Sequence, residues 1–416
     1  MKIGDLNPWW ITAQIEEEYS TLQQRNLFAE IIKYLSDRQI LVLSGLRRTG
    51  KTVTLHHLIE FLLKNNSREK ILYFNFDLFD EKIESILKQY SELVKVDLRK
   101  EKIFVFLDEV QKHHNWENEL KLIYDNFRNI KFFISGSSTL FIEKKTKESL
   151  AGRAYSFIME PLTFSEYLKL KKVIFEKNKL SLYEEELRKH LLHYLVTGGF
   201  PELISEEEPV KISRYLKETV IDKIVYLDIP RVFKIEEPAL LESIFSIVSN
   251  RPGIIFNYDS LASDLKRNRK TISNYVLYLE KAFLVKKLYN YSKNILTHEK
   301  KLKKFYPAST AFSYLYNAEE GRIIENAVNM NYNFKFFSRI GNKEVDFVEI
   351  KKNKTIPIEV KYQDNVAEKD IKGTLAFMKN HALKKGLVIT KNLEKTRDFA
   401  GGKITFLPLW KWLLEK

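Results

Sequence analysis

The chain has 416 residues, 44% of them hydrophobic and 13% aromatic, enough for about three domains of ~150 residues with sizeable cores. It contains no cysteine, which excludes a disulfide framework and thiolate metal sites and suits a reducing, cytoplasmic setting. Its start lacks the basic and apolar regions of a secretory signal, no apolar run reaches the ~18 residues of a membrane span, and a net charge of +14 directs attention to anionic partners such as nucleic acid.

Residues 1–39 read as a helical lead-in, with Trp9, Trp10 and Ile11 followed by an amphipathic segment bearing Leu27, Ile31, Ile32 and Leu35. The tryptophans read as packing residues, an adenine pocket being the other reading. From residue 40 onward, short apolar runs alternate with helical stretches, the pattern of a parallel α/β sheet. The first run, Ile40–Ser44, leads into Gly45-Leu46-Arg47-Arg48-Thr49-Gly50-Lys51-Thr52, which fits the phosphate-loop spacing G-x-x-x-x-G-K-[ST]. Gly45 and Gly50 give backbone freedom where a side chain would block a phosphate. The N–H groups of the loop, through Arg48 and Thr49, would point at the phosphates, and the helix from Lys51 adds its positive end. Lys51 would reach the β- and γ-phosphates, and Thr52 would offer its hydroxyl to Mg²⁺. A chance glycine-rich turn is the alternative. The strand before and the helical spacing of Val53, Leu55, Leu58, Ile59 and Leu62 after it speak against that.

The runs Ile71–Phe76, Ile103–Leu107, Phe132–Ser135 and Tyr155–Met159 predict four further strands. The run Ile103–Leu107 delivers Asp108 and Glu109 at its tip, the second half of a nucleoside-triphosphate site. Asp108 would hold Mg²⁺ through water, and Glu109 would orient or deprotonate the attacking water. Phe132–Ser135 opens Ser135-Gly136-Ser137-Ser138, whose hydroxyls either meet the γ-phosphate or cap a helix; Ser137 is the candidate. Arg153 precedes the fifth strand, far from its own phosphate site in such a sheet. It serves either a neighbouring subunit's nucleotide or an ordinary surface ion pair.

The order of Gly-x-Arg-Arg-x-Gly-Lys-Thr, Leu-Asp-Glu-Val-Gln, Ser-Gly-Ser-Ser, Ala-Gly-Arg, Pro161-Leu162-Thr163-Phe164-Ser165-Glu166 and Gly198-Gly199-Phe200-Pro201-Glu202 resembles prokaryotic AAA+-type ATPases with a C-terminal half of unknown function. The resemblance spans nearly the whole chain. It implies an inter-subunit role for Arg153, and so a homo-oligomer. The expected fold is an α/β P-loop NTPase (AAA+-like) core with a parallel sheet over residues 1–165 and a charge-rich helical lid over 166–238.

Residues 239–300 change character. A helix with Leu241, Ile244, Ile247 and Val248 breaks at Arg251-Pro252-Gly253, and a short helix opens at Tyr258. A turn at Arg267-Asn268-Arg269-Lys270, a second helix over Thr271–Leu279 and short β-like pieces follow. This reads as a winged helix. Arg267, Arg269, Lys270, Thr271 and Asn274 suit phosphates and base edges, and Lys286, Lys287, Lys293, Lys300, Lys301, Lys303 and Lys304 continue the basic surface. DNA is the expected partner; protein packing is the other use of such a domain.

Residues 301–416 carry a second acidic constellation: Glu325 on an amphipathic helix, Asp346 on a strand, then Glu359 and Lys361 on one face of the next strand. Asp346 and Glu359 could share a second divalent metal ion, with Lys361 polarising water or phosphate. An acid, a turn and Glu-x-Lys resemble the PD-(D/E)xK nuclease-type, restriction-endonuclease-like α/β module. A surface ion-pair ladder, or a catalytically idle binding platform, fits the same residues. Taken together, the expectation is an ATPase using ATP and Mg²⁺ that acts on or binds DNA. A nucleotide-controlled switch or scaffold with little turnover, and an ATP-gated metal-dependent nuclease, are the alternatives.

Overall fold

The structure, a computed structural model, describes residues 2–137, 150–292, 302–351, 354–399 and 401–415. The chain forms two compact units: Met1–Glu160 with Tyr226–Ile235, and Pro161–Val225 with Glu236–Lys416. Thus residues 161–165 group with the second unit, and Tyr226–Ile235, expected in the lid, returns to the first.

The first unit contains β1 (Ile40–Gly45), α1 (Lys51–Leu63), β2 (Ile71–Asn75), α2 (Ile83–Val94), β3 (Ile103–Asp108), α3 (Trp116–Asn126), β4 (Ile130–Ser137) and β5 (Ala154–Met159). All five strands are parallel, in the order β2-β3-β4-β1-β5. Every residue of β1 and β3 is buried, as required of strands whose two faces are both covered. The parallel register carries Gly45, Asp108 and Ser135 to the same C-terminal edge of the sheet.

Edge strand β2 is blunted by a side chain. Asn7 donates through Nδ2 to the Tyr73 carbonyl at 2.9 Å and accepts the Tyr73 N–H through Oδ1 at 2.7 Å, standing in for a sixth strand. The indole N–H groups of Trp9 and Trp10 both donate to the Ile71 carbonyl, at 3.1 and 2.8 Å. The tryptophans are therefore packing residues, and the lead-in is a set of short helical segments: Ile3–Leu6 and Trp9–Thr12 at this edge, Glu17–Ser20 against α1, and Asn26–Ile31 against β5 at the opposite edge.

The second unit begins with α4 (Phe164–Leu170), started by a Thr163/Glu166 capping box, and α5 (Glu184–Thr197), which stops at left-handed Gly198. Then follow α6 (Pro238–Asn250), β6 (Ile254–Ile255), α7 (Tyr258–Asp264), α8 (Arg269–Lys281), β7 (Val285–Asn290) and β8 (Lys303–Pro307). The expected turn at 267–270 is shorter than read, because the Asn268 side chain accepts the Thr271 N–H and caps α8 at Arg269.

Further elements include α9 (Glu320–Tyr332), β9 (Phe336–Ile340), β10 (Lys343–Lys351), β11 (Lys354–Lys361), α10 (Lys372–Asn380), β12 (Lys385–Thr390), β13 (Lys395–Phe399) and β14 (Gly402–Pro408). One nine-stranded sheet, β13-β14-β12-β11-β10-β9-β7-β8-β6, joins the strands of this unit. The division expected between residues 300 and 301 falls inside this sheet, because β7 pairs antiparallel with β8 and parallel with β9. Among the described residues, no helix is long and apolar enough to cross a membrane.

Candidate functional site

The C-terminal edge of the first sheet is built around the loop Gly45–Lys51. A Cβ on Gly45 would run into the carbonyl oxygen of Met159 on β5, so close strand packing requires this glycine whatever the loop binds. The loop turns through two left-handed residues, Arg48 at φ 64° and Gly50 at φ 93°, and α1 starts at Lys51. Buried Thr49 donates its hydroxyl to the Leu46 carbonyl at 2.8 Å. The buried Lys51 ammonium donates to the carbonyls of Leu46 at 3.0 Å and Gly45 at 3.3 Å. Burial pushes its pKa down, against the opposing pull of Glu109 and Asp108. A desolvated cation at a helix start, facing only weakly basic carbonyls, fits an anionic group such as a triphosphate.

Asp108, at the tip of β3, is fully buried and surrounded by donors. Thr52 donates to its Oδ2 at 2.8 Å and Tyr73 to the same oxygen at 2.9 Å. The Ser135 hydroxyl and the Glu109 N–H, the latter at 3.1 Å, serve Oδ1. Burial and the neighbouring Asp108 carboxylate hold the Tyr73 phenol well above its usual pKa, keeping it a donor. Glu109 sits at φ 52°, a left-handed conformation that costs a non-glycine residue on the order of 1 kcal/mol. Its Oε2 accepts Gln111 Nε2 at 2.5 Å. Burial raises its pKa while Lys51 pulls it back. Thr52 and Asp108 are the residues that would hold a Mg²⁺ ion, and their oxygens fit such an ion.

Sequence reasoning missed four side chains here. Tyr73 was hidden in an apolar run, whereas Ser135, a polar residue inside the β4 run, was a readable signal passed over for Ser137. The Ser137 backbone pairs with Gly45, but its side chain, like all of Ser138, lies outside the described residues. The other two misses grip the loop. Arg47 forms a two-pronged pair with Asp228 (Nε–Oδ2 2.6 Å, Nη2–Oδ1 2.7 Å), and Asp228 is only 6% exposed. Arg25 donates to the Thr49 carbonyl at 2.6 Å and the Glu160 carbonyl at 2.8 Å.

Arg153 lies at the opposite edge of the sheet. Ala154 pairs with Ile40 at the start of β1, so a strand length of about 20 Å, at ~3.3 Å per residue, separates it from the loop. Its guanidinium pairs with Asp125 of α3, at 3.0 Å from Nε and 2.9 Å from Nη2. Within one chain it is a surface ion pair.

The five residues read as a nucleic-acid surface gather at the start of α8, with their charge partly offset. Arg267 pairs with Glu237 at 2.5 Å and Arg269 with Asp259 at 3.3 Å. Thr271 donates to Asn268 at 3.0 Å, Lys270 is exposed and Asn274 is half-buried. Of the lysines expected to extend this surface, Lys287 is paired with Glu280 at 2.9 Å, and Lys293, Lys300 and Lys301 lie outside the described residues. Lys304 is a correction: its side chain is 3% exposed, because alternation along β8 turns it inward with Tyr306.

In the second unit, Glu325 and Asp346 converge on that buried lysine, while Glu359 and Lys361 pair with each other within electrostatic range of Asp346. Lys304 Nζ lies 2.7 Å from Glu325, 2.9 Å from Glu344 and 3.3 Å from Asp346. Tyr306 donates to Glu325, and the Val360 N–H donates to Asp346 at 2.9 Å. Glu359 contacts Lys361 at 2.7 Å and Thr374 at 3.1 Å. Burial and Asp346 push Glu359 up to about 8, against Lys361. Burial alone would depress Lys304, but Glu325, Tyr306, Asp346 and Glu344 raise it well above its ordinary value. The expected metal ion shared by Asp346 and Glu359 is not supported: among the described residues, no group of three or more His, Cys, Asp or Glu side chains is arranged to hold a metal. The physical reason is that an ammonium faces Asp346 while Glu359 turns to Lys361.

Comparison with known proteins agrees with the geometry of the first unit. An AAA domain family matches residues 37–168, and two domains of unknown function, DUF8612 and DUF4143, match 188–314 and 317–412. The uncharacterized protein MJ1544 of Methanocaldococcus jannaschii is 30% identical over 404 residues, covering 91% of this chain and 89% of its own. An uncharacterized protein of Haemophilus influenzae is 25% identical over 412 residues, covering 95% and 99%. Among solved structures, the Walker-type ATPase PABY2304 of Pyrococcus abyssi aligns with a TM-score of 0.42 at 14% identity, over 73% of this chain and 97% of that one. The chain therefore belongs to one family with the archaeal protein MJ1544, and carries an AAA P-loop domain followed by two domains of unknown function.

Proposed function

We propose that this protein is an ATPase that binds ATP with Mg²⁺ at Gly45–Thr52 and hydrolyses it through Glu109. The observation that carries the reading is the 2.8 Å hydrogen bond from Thr52 to Asp108, beside a buried Lys51 held by the loop carbonyls of Gly45 and Leu46. Lys51 would exchange those carbonyls for phosphate oxygens, a stronger, charge-assisted contact. Mg²⁺, held by Thr52 and Asp108, supplies positive charge to the phosphate oxygens. Tyr73 and Ser135 fix the orientation of Asp108. Glu109, raised by burial, accepts a proton from the attacking water, and Gln111 steadies its carboxylate. The test is turnover and nucleotide binding of Glu109→Gln: it should bind ATP as the wild type does and lose about 10²–10⁴ in kcat. Unchanged kcat would remove Glu109 from this role, and a wild type that binds ATP with negligible turnover would favour the switch or scaffold.

A second reading concerns DNA. The order α6-β6-α7-α8-β7-β8, with β8 between β6 and β7, supports a winged helix, and Arg269, Lys270 and Asn274 at the start of α8 suit a phosphate backbone. Binding to duplex DNA should then weaken steeply between 50 and 200 mM salt, a range over which phosphate contacts lose roughly 10³-fold or more. A flat salt response assigns this surface to a protein. Arg153 is read as acting on a neighbouring copy's nucleotide, supported by its distance from its own loop. Specific activity should then rise with protein concentration in the wild type and not in Arg153→Ala. Cleavage of nucleic acid is not part of this reading.

A further inference from the structure

We propose that Lys304 is a tethered counter-ion standing where a metal-dependent site would hold its divalent cation, so that the acidic centre of the second unit works without metal. Three acids from two elements converge on one ammonium: Glu325 from α9, and Glu344 and Asp346 from β10. Their oxygens stand 2.7, 2.9 and 3.3 Å from Nζ. That spacing is ordinary for an ammonium and too wide for the ~2.0–2.6 Å shell of Mg²⁺ or Ca²⁺.

The neighbours complete the exclusion. Glu359, the fourth acid, contacts Lys361 and Thr374, and the second oxygen of Asp346 accepts the Val360 N–H. Tyr306 donates to the same Glu325 oxygen that Lys304 holds. The turn at Gly253 closes one side. A Cβ there would lie 2.9 Å from Lys304 Cε and 3.0 Å from Glu325 Oε1, and only glycine is comfortable at its φ of 79°. That turn is fixed by Gly253 N–H to the Phe305 carbonyl at 2.8 Å and by Arg322 to the Pro252 carbonyl at 2.9 Å. A divalent ion could enter only by displacing a cation that is covalently part of β8 and already occupies an oxygen of each of the three acids. An ammonium also cannot lower the pKa of a bound water as a divalent metal does, so the centre is an ionic joint between α9, β8 and β10, not a hydrolytic one.

The test uses the full chain without nucleotide at about pH 8, where carboxylates are open to metal. Mn²⁺ is titrated and free ion is followed by electron paramagnetic resonance, for wild type, Asp346→Asn, Lys304→Met and Lys304→Met/Asp346→Asn. The wild type should show no Mn²⁺ uptake that depends on Asp346. Lys304→Met should gain a bound ion, lose it again in the double variant, and gain thermal stability with Mn²⁺ where the wild type does not. Wild-type uptake that Asp346→Asn abolishes would overturn the proposal, as would a folded Lys304→Met that binds no more Mn²⁺ than the wild type. Should Lys304→Met not fold, the comparison of wild type with Asp346→Asn still decides the matter.

Discussion

Each unit of this protein buries one lysine at its chemical centre, and the two are opposites. Lys51 is packed into a loop whose direct partners for it, among the described residues, are main-chain carbonyls, with its acids at a distance, so burial wins and its pKa falls. Lys304 is packed against three carboxylates, which overcome the same burial and raise it. A buried charge is tolerated when it is paired and is costly when it is not. The first lysine is therefore held ready for an anion that arrives from solution, while the second already has its anions. Burial alone does not distinguish a binding residue from a structural one, and neither does a shell of carbonyls: Lys131, equally buried, donates to the Tyr34, Asp37 and Gln39 carbonyls, so it is the phosphate-loop position of Lys51 that sets it apart.

Substituting each lysine by methionine breaks the comparison most directly. Lys51→Met should lose ATP affinity by on the order of 10³-fold, since two or more charge-assisted phosphate contacts disappear, yet cost less than about 1 kcal/mol in stability because no carboxylate is left unpaired. Lys304→Met should leave ATP affinity unchanged and cost about 3–5 kcal/mol, the range for orphaning buried charges. Urea unfolding and nucleotide titration on both variants separate the two effects. Equal stability losses would mean that Lys51 is also a structural ion pair.

The next effect is smaller and sits beside Lys304. Burial pushes Glu359 up to about 8 from its ordinary value of about 4.5, so the folded state prefers its acid form. That preference adds stability fully below pH ~4.5 and is lost as the pH rises toward 8. Wild type should thus lose on the order of 5 kcal/mol across this window through this group, and Glu359→Gln should flatten that slope. Thermal midpoints at pH 5 and 8.5 check it; parallel slopes would show that Lys361 holds Glu359 ionised throughout.

The contrast also shows what the sequence could disclose. The Gly45–Thr52 loop and the Asp108-Glu109 strand end were legible because their chemistry lies in contiguous residues with fixed spacing. The four residues of the second centre were legible as a pattern that left a metal site and an ion-pair ladder both open, because the residue that pairs with two of them, Lys304, was not read with them. It stands in a lysine-rich stretch that looks like a solvated face, and only pairing of β8 with β7 and β6 turns it inward. Alternation of Lys304 with Tyr306 around Phe305 was the available hint. Asp228 was not legible at all: 181 residues separate it from Arg47, and nothing local marks an aspartate in a helical segment as a loop partner.

That pair gives the finest test of how the nucleotide loop is held. Asp228 is the anion nearest to filling the role of a phosphate, since it grips Arg47 with both oxygens and adds a negative charge within range of Lys51. A triphosphate entering the loop meets that charge as repulsion and competes for the same guanidinium. Asp228→Asn removes the charge while keeping one hydrogen bond to Arg47, so ATP should bind roughly tenfold more tightly, about 1.4 kcal/mol, with Glu109-dependent turnover preserved. Because Asp228 belongs to Tyr226–Ile235, the stretch on which the chain returns to the first unit, tighter binding would mean that nucleotide arrival loosens this segment. Weaker binding in Asp228→Asn would instead make Asp228 the group that aims Arg47 at the phosphates, and the loop would be pre-set rather than restrained.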